Sequence, residues 1–207
     1  MLSSGVDEEP HFRDRVEVFK DRIHAGDLLA RRLSKTINKM TAATVVAIPS
    51  GGVPVGYTIA SELQIPLDVI LVRKIPIPWE PEAGFGSVTF DGSTFLNEAL
   101  LRVLRLSKDD VDKAIEKAKK GLEERTKKFL SVMKEGLLTK VGGRVVMLGD
   151  DGLASGYTML ASVESIKKRK PTKIIIAVPT GSITAIHLVS TGVDKLLCLN
   201  VRSEYNF

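Results

Sequence analysis

Apolar residues of this chain fall into short continuous runs and into stretches with helical spacing. A short apolar run bounded by turn residues is typical of a strand buried on both faces of a parallel sheet. Such runs predict strands over residues 44–48, 67–72, 145–148, 173–178 and 195–201. Helical spacing predicts helices near 53–63, 156–168 and 180–190, with further helical sequence from Asp14 and from Asn97. Strands that alternate with helices predict an α/β fold, in which a parallel sheet is connected by right-handed crossovers.

The first helix and one long connection are less regular. A helix is expected to begin near Asp14, because Glu17 is spaced to complete a capping arrangement and Val16, Phe19 and Ile23 share its apolar face.

Residues 75–93 contain three prolines and three glycines, and they predict a long loop with at most a short hairpin around 85–90. A loop of that length in a compact domain is usually functional.

A second long helix is predicted after Ser107, which forms a capping box with Asp110. This helix and the shorter one before it make up a helical insertion over about residues 96–136. The length of 207 residues corresponds to about one α/β domain, so a single domain over residues 1–207 is expected.

The composition indicates a globular and mildly basic protein. Apolar residues make up 43% of the chain and aromatic residues only 5%, which disfavours both disorder and a stacking platform for single-stranded nucleic acid. The net charge of +5 suits a polyphosphate substrate, but it equally suits solubility or weak RNA affinity. One cysteine excludes an internal disulfide, and the three histidines show no metal-ligand spacing. No apolar run is long enough for a bilayer and the N-terminus is acidic, so a cytoplasmic protein without a membrane partner is expected.

The most informative stretch is the turn that follows the predicted strand 145–148. Asp150 and Asp151 come first, and a small-residue loop over 154–158 then leads into a helix. Unpaired N–H groups at a helix start suit a phosphate, and the hydroxyls of Ser155 and Thr158 add donors. Because the two carboxylates would repel a bare phosphate, a ligand that also carries hydroxyls or a metal fits better. A phosphorylated sugar with vicinal hydroxyls meets both requirements.

This stretch resembles the 5-phosphoribosyl-1-pyrophosphate (PRPP) loop of type I phosphoribosyltransferases. The match is continuous from residue 145 to 158: four apolar residues, a variable residue, two acids, a short linker and Ser-Gly-x-Thr. Segments 48–55 and 67–74, with 96–98 and the long helix, extend the resemblance over nearly the whole chain, to a group of predicted phosphoribosyltransferases. The resemblance implies the parallel-sheet fold of that family, with an inserted long-helix segment and a flexible loop over the substrates, matched here by residues 75–93.

The resemblance also implies a site, residue by residue. Asp150 and Asp151 are the catalytic pair that holds the ribose hydroxyls. The 5′-phosphate loop comprises Ala154, Ser155, Gly156, Tyr157 and Thr158. The pyrophosphate of PRPP is assigned to Ser50, Gly51, Gly52, Arg73 and Lys74, and the acceptor base to Val178, Pro179 and Thr180. Many members carry a basic residue at the position of Ser50, and members often have a non-proline cis bond where Pro49 meets Ser50.

The implied reaction displaces pyrophosphate from PRPP by a nitrogen base. Mg²⁺ is the expected cofactor; it bridges pyrophosphate and ribose oxygens through PRPP and waters, with no direct protein ligand assigned. A homodimer is expected. Two alternatives stay open: a regulatory protein that senses PRPP or a nucleotide and binds RNA or DNA elsewhere, and a PRPP synthase. The synthase is disfavoured because it needs a longer, two-domain chain, and no nucleic-acid motif supports the regulator.

Overall fold

The computed structural model describes residues 5–37, 42–132 and 136–203. Its strands and helices in the first half of the chain are β1 (Val6–Asp7), α1 (Arg22–Ile37), β2 (Ala43–Ala47), α2 (Gly52–Leu63), β3 (Leu67–Val69), β4 (Val72–Ile77), β5 (Glu80–Thr89) and β6 (Thr94–Leu96). The second half contributes α3 (Glu98–Leu104), α4 (Lys108–Val132), β7 (Val145–Gly149), α5 (Tyr157–Lys167), β8 (Lys173–Ser182), α6 (Ile183–Ser190) and β9 (Lys195–Arg202).

Six strands form the central sheet in the order β1-β9-β8-β7-β2-β3, and every neighbouring pair is parallel. Successive residues of β7 point to opposite faces, so Val146 and Leu148 enter one apolar core while Val145 and Met147 enter another. Both faces are therefore buried, which explains the continuous apolar runs in the sequence. The predicted α/β fold with a parallel sheet is confirmed.

Strands β4, β5 and β6 form a second, antiparallel sheet. The prediction of a long loop over 75–93 is therefore wrong for most of that segment. Ile75, Phe85 and Val88 are fully buried in a third apolar cluster, which also contains residues of α4. The prolines indicated a loop, but Pro76 is compatible with β4 because it lies at an irregularity in the register of β4 with β5.

The sequence also misplaced the start of the first helix. Helix α1 begins at Arg22, and both Asp14 and Glu17 have positive φ, which is incompatible with a helix there. The segment around Asp14 and Glu17 instead contacts the end of β9, where Asn200 Nδ2 donates to the Arg15 carbonyl oxygen at 2.9 Å. Val16, predicted to be buried, is 73% exposed.

The second core strand is shorter than predicted. It is β3, and after it the chain leaves the central sheet and enters β4. Arg73 and Lys74 therefore do not lie at the carboxyl end of a core strand, as predicted, but within the second sheet.

Helix α4 packs its buried Ala114, Ala118 and Leu122 on that second sheet. Ser107 caps this helix as predicted: the Asp110 amide donates to Ser107 Oγ at 3.2 Å. The Asp110 carboxylate accepts from Ser107 Oγ at 2.6 Å, so the predicted pair is in contact through its side chains. Among the helices of the described residues, none combines the length and hydrophobicity of a membrane-spanning segment.

Candidate active site

Strands β2 and β7 are neighbours in the sheet, so the loops that follow them meet at its carboxyl edge. The Ile48 amide donates to the Gly149 carbonyl oxygen at 3.0 Å and ties the two loops together. Gly51 lies directly against the Asp151 carboxylate, and a methyl group at Gly51 would overlap it. The close approach of the two loops therefore requires glycine at this position. The structure brings the predicted acid pair and the predicted pyrophosphate loop into contact.

The loop over residues 49–52 has the predicted cis peptide bond between Pro49 and Ser50. The Gly52 amide donates to the Ile48 carbonyl oxygen at 3.1 Å, so it is engaged within the turn. Across the described residues, the amides of Ser50 and Gly51 have no intramolecular acceptor. These two N–H groups, rather than that of Gly52, are available to an anion.

The loop over residues 154–158 leads into α5 through Gly156, whose φ of +83° is favourable only for glycine. Within the described part of the chain, the amides of Ala154, Ser155, Gly156 and Thr158 have no protein acceptor. Successive unpaired N–H groups at a helix start form a concave anion site. Binding of a 5′-phosphate at this loop stays a prediction.

The far side of this loop is anchored to β8. The Leu153 amide donates to the Thr180 carbonyl oxygen at 2.9 Å, the Ser182 amide donates to the Leu153 carbonyl oxygen at 2.9 Å, and Ser182 Oγ donates to the Ala154 carbonyl oxygen at 2.7 Å. These bonds engage the carbonyl oxygens of Leu153 and Ala154 and fix the loop against β8.

The second sheet borders the same loop. The hydroxyl oxygens of Ser87 on β5 and Thr158 lie 3.5 Å apart, and the Phe95 and Tyr157 rings pack with centroids 6.1 Å apart. The segment expected to be a flexible cover is thus a sheet whose hydroxyl groups reach the predicted 5′-phosphate loop.

The two carboxylates of the acid pair have different surroundings. Burial raises the pKa of the Asp150 carboxyl above its usual range, and the neighbouring Asp151 charge adds to this, although the Asp151 amide donates to Asp150 Oδ1 at 2.8 Å. Asp151 forms an ion pair with Arg22 at the start of α1, with Nη2 2.7 Å from Oδ2. The neutral form is thus favoured at Asp150, while Asp151 is held by a cation.

Arg73 and Lys74 do not act as a pair, because adjacent residues of a strand point to opposite faces. The Arg73 guanidinium lies on α4, where its Nη1 is 2.6 Å from the position that a Cβ would take at Gly121. Lys74 pairs in register with Ser87, on the face that borders the 5′-phosphate loop.

The predicted base residues lie within β8 rather than beyond its end, because the strand continues to Ser182. Val178 is fully buried in the core and Pro179 is buried, so neither side chain is open to a base. Thr180 keeps partial exposure next to Asn200 of β9. The assignment of the base to Val178, Pro179 and Thr180 stays a prediction, in which Val178 and Pro179 would contribute main-chain rather than side-chain contacts.

Arg22 and Arg125 also lie at the site, although the sequence did not predict them there. Arg22 reaches Asp151 from α1, and Arg125 reaches the pyrophosphate loop from α4, where its Nη2 donates to Ser50 Oγ at 3.2 Å. Arg125 is 75 positions from Ser50 and sits among many exposed charges of the same helix, so no local pattern marked it.

Within the described residues, no group of three or more His, Cys, Asp or Glu side chains is arranged to hold a metal ion. A magnesium ion often binds through one or two carboxylates and substrate phosphates while keeping its waters. The adjacent Asp150 and Asp151 fit that kind of site.

Comparison with known proteins is consistent with this geometry. No protein-family model matches the chain. Two Mycobacterium tuberculosis proteins provisionally named phosphoribosyl transferases, from strains CDC 1551 and H37Rv, are 34% identical over 184 residues, which is 89% of this chain. The chain spans 40% of the length of these curated relatives.

Solved structures share the fold. A Thermus thermophilus protein, TT1426, is 30% identical, with a TM-score of 0.73 over 91% of this chain and 87% of that one. The adenine phosphoribosyltransferase of Giardia lamblia, solved with 9-deazaadenine, is 15% identical, with a TM-score of 0.50 over 86% of this chain and 80% of that one. The second likeness shows the type I fold alone.

Proposed function

Because the chain belongs to the type I phosphoribosyltransferase family, we propose that it transfers the phosphoribosyl group of PRPP to a nitrogen base and releases pyrophosphate. The observation that carries this proposal is one continuous edge of the sheet. Along this edge lie the amides of Ala154, Ser155, Gly156 and Thr158, then the acid pair, and then the amides of Ser50 and Gly51. A 5′-phosphate, a ribose and a pyrophosphate would meet these groups in that order.

In the reaction, a nitrogen lone pair forms a bond to ribose C1 while the bond from C1 to the pyrophosphate oxygen breaks. The bonding electrons leave with pyrophosphate, and positive charge develops on the ribose ring. The protein contributes mainly positioning and electrostatics to such a step. Asp150 and Asp151 would accept hydrogen bonds from the ribose hydroxyls, and the Asp151 carboxylate would place negative potential beside the developing cation.

Each remaining group has a role that follows from its position. The amides and hydroxyls of residues 154–158 bind the 5′-phosphate, with Ser87 at their border. Mg²⁺, near the acid pair and bound mainly by substrate oxygens and water, would offset the charge of the pyrophosphate. Thr180 is the residue of the predicted base site with exposed side-chain surface. The protein would act as one domain over 1–207, as a cytoplasmic homodimer.

The test is pyrophosphate release from PRPP and Mg²⁺ across a panel of purine, pyrimidine and pyridine bases. Turnover with at least one base is expected for the wild type. Asp150→Asn combined with Asp151→Asn should abolish it, because amides accept ribose hydroxyls less well and add no negative potential. A matched control is Asp109→Asn combined with Asp112→Asn, on the exposed face of α4.

The same assay separates enzyme from sensor. Tight PRPP binding without turnover of any base would support a regulatory protein that uses PRPP as a signal, and an RNA and DNA shift assay would then identify its target. Turnover that persists in the double Asn variant would remove the assigned roles of the acid pair.

A further inference from the structure

The loop over residues 49–52 carries no cation of its own, yet it borders two carboxylates. Gly51 lies against the Asp151 carboxylate, and the Cβ position of Gly52 is 3.0 Å from Asp150 Oδ1. A pyrophosphate bound at the amides of Ser50 and Gly51 would therefore meet negative potential on one side. Opposing cations have to come from elsewhere in the molecule.

The inserted helix α4 brings such a cation to the loop. Arg125 Nη2 donates to Ser50 Oγ at 3.2 Å, and its guanidinium carbon lies 5.8 Å from the centroid of the Phe129 ring one turn later. The contact with the ring restricts the side chain, so its position over the loop does not depend on Ser50 alone. A guanidinium is well suited to this role because its planar array of donors matches two phosphate oxygens at once.

A second guanidinium, that of Arg73 on β4, contacts the same helix one turn before Arg125. Arg73 packs on Gly121, four residues before Arg125, and residues four apart are neighbours on a helix surface. Ser50 is exposed, and its short side chain allows Arg125 to reach the loop. Helix α4 thus brings the Arg125 guanidinium to the loop and contacts the Arg73 guanidinium one turn earlier.

We infer that α4 completes the pyrophosphate subsite and that Arg125 is the residue that binds the pyrophosphate of PRPP, with Arg73 supporting it. The inference rests on the proposed function and adds to it the element that supplies the charge. In this view the insertion is part of the binding site, since removing the Arg125 guanidinium removes the cation that contacts the loop.

The experiment measures binding of three ligands by calorimetry in the presence of Mg²⁺: PRPP, inorganic pyrophosphate and ribose 5-phosphate. The variants are Arg125→Ala, Arg125→Lys and Lys120→Ala, the last being an exposed cation of the same helix. Arg125→Ala should weaken PRPP and pyrophosphate about 10- to 100-fold, as expected for loss of charged hydrogen bonds, and should leave ribose 5-phosphate unchanged. Arg125→Lys should retain part of the affinity, and Lys120→Ala all of it.

A rescue variant makes the test specific. Ser50→Lys in the Arg125→Ala background places a cation where the guanidinium met the loop, so it should recover part of the pyrophosphate affinity. Thermal melting of each variant controls for folding. If a folded Arg125→Ala protein binds pyrophosphate with wild-type affinity, the inference about Arg125 is wrong, and the proposed function is not affected. A wild type that binds neither PRPP nor ribose 5-phosphate would overturn the proposed function together with it.

Discussion

The carboxyl group of Asp150 lies at a buried position that favours its neutral form. Its pKa is raised mainly by burial, so on unfolding the group becomes an ordinary, ionised carboxyl at neutral pH. Between the ordinary pKa and the raised one, the native state binds more protons than the unfolded state, and stability falls as the pH rises through that window. Selection of an acid at such a place is more easily explained by ligand binding than by stability.

Replacing Asp150 with asparagine should therefore stabilise the protein at pH 7. We expect the free energy of unfolding to rise by on the order of 1 kcal/mol, because an amide of similar shape does not have to take up a proton when the protein folds at neutral pH. The gain should shrink towards pH 4, where the carboxyl is protonated in the unfolded state as well and folding no longer requires proton uptake. Urea unfolding at several pH values measures this, with the exposed Asp112→Asn as control. A loss of stability at pH 7 would contradict the assignment of a buried carboxyl with a raised pKa.

The site residues that the sequence predicted are those that lie next to one another in a short stretch of chain. The adjacent carboxylates and Gly156 are constrained by their neighbours in the chain, since a strand end, a positive φ and a helix start must follow in order. Arg22 and Arg125 are different: each reaches the site from a helix far away in sequence, and an exposed arginine on a helix has no distinguishing context. Their positions depend on tertiary packing, which the sequence pattern does not report.

Among the elements, the second sheet was the least predictable. Its prolines and glycines match those of a loop, but its buried residues, Ile75, Phe85 and Val88, pack on α4 and offset the low strand propensity. The parallel strands were predictable because they are buried on both faces and leave uninterrupted apolar runs. A strand that has Gly, Ser and Thr among its buried residues, with an irregular register, leaves a weaker pattern.

The second sheet is fastened to α5 by Asp91, in the turn between β5 and β6. Its Oδ1 accepts from the hydroxyls of Thr89 and Ser93, each at 2.7 Å, and its Oδ2 accepts from Ser165 Oγ at 2.8 Å and Arg169 Nη1 at 2.9 Å. Burial opposes the charged form, but the hydrogen bonds outweigh it and hold the pKa of the Asp91 carboxyl well below its ordinary value. The helix that starts at the 5′-phosphate loop is thereby joined to the sheet that borders that loop.

Asp91→Asn should destabilise the protein by roughly 1.5 to 3 kcal/mol at pH 7, the usual range for hydrogen bonds to a buried charged group. Because the native pKa is lowered, the wild-type advantage is complete above the ordinary carboxyl pKa near 4 and declines as the pH falls below it. Chemical unfolding at pH 7 and at pH 3 measures the difference. The exposed Asp109→Asn is the control, and a difference that stays constant with pH would contradict the role of the charge.

In the whole molecule, the site draws on segments from most of the chain. Helix α1 contributes Arg22, the β2 and β7 loops contribute the glycines and the acid pair, and α4 contributes Arg125. The central sheet fixes the two loops because β2 and β7 are adjacent, but the cations come from elements outside that sheet. Ligand binding should therefore stabilise contacts between elements that are otherwise joined at the site by single exposed ion pairs or hydrogen bonds, which are weak on their own.

This arrangement predicts where PRPP should slow amide hydrogen exchange. Protection is expected in four segments that are separated in sequence, residues 20–26, 48–54, 121–127 and 152–160, because each would contact or neighbour the ligand. Ribose 5-phosphate should protect 152–160 but not 121–127, since it lacks the pyrophosphate that Arg125 would bind. Residues 170–173 and 191–194, around the amino end of β8, are the internal control because they lie at the opposite edge of the sheet. Exchange measured by mass spectrometry at saturating ligand tests this. Equal protection of 121–127 by both ligands would show that α4 responds to the sugar phosphate and not to the pyrophosphate.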